Sequence, residues 1–263
     1  MKLTIIGAGN MGSAIAYGLS NSILMKEMEI FCTDLIPEKL KKIKETCTSI
    51  QVTTDNLSAV KNADIVIIAV KPWFIEDTIR EIKETLDYDQ QMVVSIAAKI
   101  DTGQLSRFLE KEDGGLPAIF RIVPNTAIAV KESVNFIAAC NATTEQTGII
   151  NRLFNELGLT IPIEERLIDA CTALSSCGIA YAFRYIRAAI EGAVELGIYP
   201  EMAKNIVLQT LLGAVTLLKT NGNHPEAEID RVTTPGGITI KGLNAMEEAG
   251  FTNAVIQGLK ASV

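Results

Sequence analysis

The run Ile6-Gly7-Ala8-Gly9-Asn10-Met11-Gly12 lies directly after an apolar stretch at residues 2–6 and opens an apolar helical pattern over 11–24. Glycines at this spacing between a strand and a helix have separate duties. Gly7 permits the tight turn, Gly9 lets an anionic group approach the backbone, and Gly12 lets the helix pack closely on the strand. The arrangement predicts a strand–turn–helix unit whose N-terminal N–H groups receive a pyrophosphate.

The stretches that follow extend this unit into a sheet. Residues 29–33 and 50–53 read as strands, and residues 63–70 (Ala-Asp-Ile-Val-Ile-Ile-Ala-Val) are almost unbroken in apolar character. Such runs mark strands covered on both faces, as in a parallel sheet between helices. Residues 91–97 and 118–123 repeat the theme, with an amphipathic stretch at 75–86 between strands. Alternation of strand and helix predicts an α/β fold, an N-terminal Rossmann doubly wound parallel sheet over residues 1–160.

After Pro162 only helical periodicity is visible. Leu167, Cys171, Leu174, Gly178, Tyr181, Tyr185, Ala189 and Gly192 recur at three- or four-residue intervals, predicting one long helix over 164–197 that stops at Gly197. Further helices are expected over 200–219, 236–249 and from 252 to the end. Residues 161–263 thus form an all-α domain, apolar enough that burial against a second copy is expected.

Composition removes several classes of partner. The 263 residues carry a net charge of −7 with no run of basic residues, which argues against nucleic acid and anionic membrane surfaces. No apolar run approaches the roughly 20 residues needed to cross a bilayer. Five scattered cysteines (Cys32, Cys47, Cys140, Cys171, Cys177) show no metal-ligand spacing, and reduced thiols in a cytoplasmic protein are expected. An N-terminus that runs straight into the first strand argues against a cleaved leader.

Asp34 ends the second strand, where a carboxylate accepts the ribose hydroxyls of NAD and repels the 2′-phosphate of NADP. With Leu35 next to it, Asp34 tilts the expectation from NAD(P)H towards NADH, although Lys39, Lys41 and Lys42 lie within reach of a phosphate. Ala69-Val70-Lys71-Pro72, Ser95-Ile96-Ala97-Ala98 and Val123-Pro124-Asn125-Thr126 end three successive strands on the ligand-binding edge. They predict a pocket for the nicotinamide and its ribose.

Two segments of the second half are candidates for a substrate. In Thr233-Thr234-Pro235-Gly236-Gly237-Ile238-Thr239-Ile240, Thr234 suits an N-cap and Pro235 a first helical position. Glycines at 236 and 237 cost helix propensity but expose N–H groups at the positive helix end, suited to a carboxylate. In Ala173-Leu174-Ser175-Ser176-Cys177-Gly178-Ile179-Ala180-Tyr181, small residues allow close packing. Serines in so apolar a helix need polar partners, a bound ligand being one.

These blocks resemble the pyrroline-5-carboxylate reductase family. The similarity includes Ile6 to Gly12, Ala69 to Pro72, Val93 to Ala98, Arg121 to Thr126, His224-Pro225, Asp230 to Ile240 and Glu247 to Phe251, and so covers essentially the whole chain in order. The resemblance implies reduction of a small cyclic imino acid, 1-pyrroline-5-carboxylate, to L-proline with NAD(P)H, in a homodimer formed through the helical domain. It places the substrate carboxylate on Thr234, Gly236, Gly237 and Ile238, lines the pocket with Ser175 and Ser176, and sets Thr239 beside the imine nitrogen. The helix motif departs from the family's usual Ser-Gly-Ser-Gly-Pro-Ala-Tyr at Ser176, Cys177 and Ile179, and Lys99 stands where glycine is usual.

The inventory of side chains agrees with an imine. Ketone reduction usually recruits histidine, lysine or tyrosine to protonate an alkoxide. The chain has one histidine, His224, in a loop, and no lysine between Lys131 and Lys204. A protonated imine already carries its proton, so positioning suffices. Two other readings stay open: a reductase of another cyclic imine or oxoacid, and a non-catalytic nucleotide-binding protein.

Overall fold

The computed structural model describes residues 1–22 and 28–263. Among the described residues eight strands form one sheet: β1 (Lys2–Ile6), β2 (Glu29–Thr33), β3 (Gln51–Thr53), β4 (Ile65–Ile68), β5 (Met92–Ser95), β6 (Ala118–Val123), β7 (Ser133–Cys140) and β8 (Gly158–Pro162). Their order is β3-β2-β1-β4-β5-β6-β7-β8. The pairs from β3 through β6 are parallel, so the first six strands have the doubly wound order that binds ligands where the direction of winding reverses, at β1 and β4.

The unbroken apolar strands are explained by cover on both faces. In β4 all four residues are buried. Ile65 and Ile67 join Leu3, Ile5, Ile15 and Phe120 on one side, whereas Val66 and Ile68 join Ile75, Ile79 and Leu105 on the other. One layer is supplied by α1 (Asn10–Ser20), α2 (Pro37–Thr46) and α6 (Thr144–Asn155), the other by α3 (Asn56–Val60), α4 (Ile75–Ile82) and α5 (Thr102–Leu109). The far end of the helix expected over 11–24 falls on residues 23–27, outside the described residues.

Two strands add to the expected set. β7 runs antiparallel to β6, and β8 pairs parallel with β7. Gly158 makes the last pairing possible: at φ 139°, a Cβ there would lie 2.0 Å from the carbonyl oxygen of Ser133. Buried Asn135 donates from Nδ2 to the Phe154 carbonyl at 3.0 Å, tying β7 to the end of α6. The segment after β8 is held to the sheet by Arg121, buried on β6, whose guanidinium donates to Glu165 Oε1 at 2.6 Å.

Beyond Pro162 the described chain is helical, as the periodicity predicts. The helix expected over 164–197 is not one uniform rod. After a 3₁₀ turn at Glu165–Leu167 come α7 (Ile168–Thr172), a π turn at Ala173–Cys177 and α8 (Gly178–Glu195). Gly197 terminates the run in the left-handed conformation, φ 89°. α9 (Pro200–Asn221), α10 (Pro225–Val232), α11 (Ile238–Glu248) and α12 (Phe251–Lys260) complete the chain.

The chain divides into two compact units, Met1–Ser176 and Cys177–Val263. The sheet ends at Pro162, whereas the compact division falls after Ser176, so that Ile168 and Ala173, both buried, belong to the first unit. In the second unit α8 packs against α9 and α11 against α12, and the Tyr181 hydroxyl on α8 donates to the Gly258 carbonyl of α12. Among the described residues no helix is long and apolar enough to cross a membrane.

Candidate active site

The glycine turn has the shape its spacing predicts. Gly7 sits at φ 105°, its N–H bonded to the Thr33 carbonyl at 2.8 Å, and a Cβ there would come within 2.8 Å of the Ala69 carbonyl oxygen. A Cβ at Gly12 would overlap the Gly7 carbonyl oxygen at 1.9 Å, so helix and turn touch backbone to backbone. A Cβ at Gly9 would meet open space. Gly9 is also the N-cap of α1, and no side chain caps that end. An uncapped helix N-terminus with an open glycine in front of it is a fitting cradle for phosphates.

Beside this turn lies a cleft of about 740 Å³. Of the residues expected to hold the cofactor, Gly7, Gly9, Asn10, Met11, Asp34, Ala69, Val70, Lys71, Pro72 and Ala97 line it. Ala8, Gly12 and Asn125 are not among its lining residues. Ala8 donates its N–H to Asp34 Oδ2 at 2.8 Å, and Gly12 packs on the turn. Asn125 accepts the Ala127 N–H and donates from Nδ2 to Ser175 Oγ at 3.0 Å, a tie between two backbone segments. Lys99, just past the cleft residue Ala98, has φ 66°, a conformation glycine takes at no steric cost.

Several cleft residues were not singled out from sequence. Asn56, almost fully buried, accepts from Thr33 Oγ1 at 2.6 Å and donates to Glu81 at 3.0 Å, which seats α3 and α4 against the end of β2. Phe74 follows Pro72 in a 3₁₀ turn and adds an aromatic ring to the wall. Sequence offers little signal for Asn56, which α3 brings in from a distance along the chain, whereas Phe74 lies two residues beyond Pro72 and would have been found by extending that block. Asp34 accepts four contacts from three donors: the Ala8 and Ile36 N–H groups, and Lys39 Nζ, which reaches the two carboxylate oxygens at 3.1 and 3.3 Å. Burial, together with the nearby Asp34 charge, pushes the Cys32 thiol up from 9.0 to about 12, so it stays protonated.

Ser175 and Ser176 lie in the π turn, and both hydroxyls are engaged. Ser175 accepts from Asn125, and Ser176 donates to the Pro124 carbonyl at 3.1 Å. Their expected need for polar partners is thus met by the loop after β6.

In the second unit, the block at 233–240 differs from expectation in its local form. Thr234 is not the N-cap and Pro235 is not the first helical residue. The Gly237 N–H bonds the Thr234 carbonyl at 2.9 Å, closing a β-turn with Pro235 and Gly236 at its centre, Gly236 at φ 73°. Proline followed by a positive-φ glycine favours this turn over helix. α11 therefore begins at Ile238, with Gly237 as an N-cap that no side chain covers. A Cβ on Gly237 would come within 2.5 Å of Thr234 Oγ1, so glycine is what lets that hydroxyl sit at the helix start. Thr234, Ile238 and Thr239 are exposed. His224 has another duty, since its Nδ1 accepts the Glu226 N–H as the cap of α10.

A doubly wound sheet with an uncapped glycine turn over its switch point, followed by an all-helical unit, defines a two-domain protein of the Rossmann type. A family model described as NADP oxidoreductase, coenzyme F420-dependent, matches residues 2–99, and one described as pyrroline-5-carboxylate reductase dimerisation matches residues 165–263. Pyrroline-5-carboxylate reductase 2 of Dictyostelium discoideum is 36% identical over 99% of this chain and 90% of its own length. Pyrroline-5-carboxylate reductase 1 of the same organism is 37% identical over 99% of this chain, which spans 48% of that relative. The crystal structure of Plasmodium falciparum pyrroline carboxylate reductase with NADP bound superposes with a TM-score of 0.85 at 28% identity, over 100% of this chain and 95% of that one. The chain belongs to the pyrroline-5-carboxylate reductase family.

Proposed function

We propose that this protein reduces 1-pyrroline-5-carboxylate to L-proline with NAD(P)H. The observation that carries the reading is the Thr234–Gly237 turn ahead of the uncapped start of α11, in a chain matched along its length by reductases of that name. Gly7, Gly9 and the start of α1 hold the pyrophosphate, and Asp34 takes the ribose and favours NADH. Bound NAD(P)H supplies the hydride that the imine carbon accepts.

The protein's own part is binding, orientation and one proton. The Ile238 N–H and the Thr234 hydroxyl hold the substrate carboxylate, drawn by the positive end of α11, while Gly237, whose own N–H closes the turn, keeps that helix start uncovered. Thr239, on the first turn of that helix, relays a proton from water to the product amine once the hydride has reached the imine carbon. The substrate nitrogen arrives protonated, so no histidine or lysine is required, in keeping with His224 acting as a helix cap. Ser175 and Ser176 shape the pocket through their ties to Pro124 and Asn125. The working form is a homodimer through the helical unit, and a cytoplasmic location fits five free cysteines.

The test is spectrophotometric oxidation of NADH and NADPH with 1-pyrroline-5-carboxylate and with other cyclic imines and oxoacids. The expected result is turnover with pyrroline-5-carboxylate and none with oxoacids. No rate above background with either nucleotide overturns the reading.

A further inference from the structure

The carboxylate of Asp34 is fully subscribed. An ionised carboxylate offers about four acceptor positions. Here two are taken by the Ala8 and Ile36 N–H groups, and Lys39 Nζ reaches both oxygens at 3.1 and 3.3 Å. The Asp34 side chain is 10% exposed and that of Lys39 is 41% exposed, so the lysine is the half of the pair that is free to move. Both line the cleft.

This arrangement changes what Asp34 means for the nucleotide. An unpaired carboxylate excludes a 2′-phosphate, whereas one already offset by an ammonium excludes it much less. Ribose hydroxyls that donate to Asp34 have to displace Lys39, and a displaced ammonium needs a new anion. A phosphate on the 2′ position is such an anion, and the backbone N–H groups keep Asp34 in place when the lysine leaves. Lys41 is turned to Glu45, Lys42 does not line the cleft, and the other lysine that does, Lys71, follows β4 at a different sheet position. Asp77 and Glu81 also face the cleft, and Glu81 is held by Asn56. A 2′-phosphate near Asp34 therefore depends on Lys39 for its counter-charge.

We propose that Lys39 is the specificity-determining residue for the nucleotide, pairing Asp34 in the free protein and transferring to the 2′-phosphate of NADPH. The balance between the two cofactors is then set by Lys39, with Asp34 alone favouring NADH. The proposal rests on the nucleotide-binding reading of the cleft and goes beyond it.

Binding of NADPH and of NADH, each without imine, is measured by the fluorescence of the reduced nicotinamide for wild type, Lys39→Met and Lys39→Arg. Lys39→Met is expected to weaken NADPH about tenfold or more and to alter NADH by less than about threefold. Lys39→Arg is expected to retain NADPH binding, and rising salt to weaken NADPH more than NADH. Equal changes for both nucleotides in Lys39→Met, or an unchanged ratio, overturn the role of Lys39 while leaving the cleft a nucleotide site. Failure of the wild-type protein to bind either nucleotide overturns the reading of the cleft itself.

Discussion

The two compact units treat their apolar side chains in opposite ways. In Met1–Ser176 the isoleucines and valines of β1, β4 and β5 are sealed between helices on both faces. In Cys177–Val263, among the described residues, Ala203 alone is buried, while Phe183, Tyr199, Met202, Leu212, Val215, Leu217 and Ile256 stand exposed. A sheet with two covered faces closes its own core. Four-turn and longer helices with apolar residues around much of their circumference cannot do so with this few neighbours, and need a second surface. The first unit is thus stable through what it contains, the second through what it meets.

The largest expected effects break this contrast directly. Ile67→Ala should cost about 2–5 kcal/mol of folding stability by opening a cavity between β4 and its helices, read by urea unfolding. Leu212→Glu, on exposed α9, should leave the secondary structure intact and shift the protein to a smaller species in sedimentation. A folded Leu212→Glu protein of wild-type mass would show that this face of α9 meets no second copy.

Next in size is the join between sheet and helices. Glu165→Gln removes the charge facing buried Arg121, whose Nε has no partner among the described residues, and should cost about 2–4 kcal/mol, less than a fully enclosed pair because Glu165 is partly exposed. Thermal unfolding of the first unit's sheet, followed by circular dichroism, checks this.

The two glycine turns sharpen the comparison at the level of function. Gly237→Ala, pressing on Thr234, should raise KM for the imine about tenfold or more while leaving nucleotide binding unchanged. Thr239→Ala should lower kcat and alter its pH profile, and full turnover with the wild-type profile would exclude a proton role.

Smallest is the alkaline behaviour of Cys32. Its folded pKa of about 12 exceeds the ordinary 9.0, so above pH 9 the unfolded chain gives up a proton that the native state keeps. Stability should therefore fall as pH rises from about 9 to 12. Cys32→Val should flatten that part of the stability curve, measured by urea titration at several pH values.

Much of the first unit was legible because its signals are local. Apolar runs without polar interruption, glycines between strand and helix, and Asp34 at a strand end each act through neighbours a few residues away. The missed strands β7 and β8 depend instead on a long-range fit, Gly158 against Ser133, which leaves no periodic trace. The N-cap expected at Thr234 failed because Pro235 and positive-φ Gly236 favour a closed turn, a competition that composition alone does not rank.

By itself, then, the sequence determined the class of sheet, the cofactor cradle, the helical second half and the family. Tertiary structure decided how those parts are wired: the reversed strands at the sheet edge, the π turn bound to Pro124 and Asn125, and Lys39 folded onto Asp34. The physical reason is range. Turn geometry and amphipathic period are set by covalent neighbours, whereas charge pairing and backbone contact depend on which distant segments the packed core brings together.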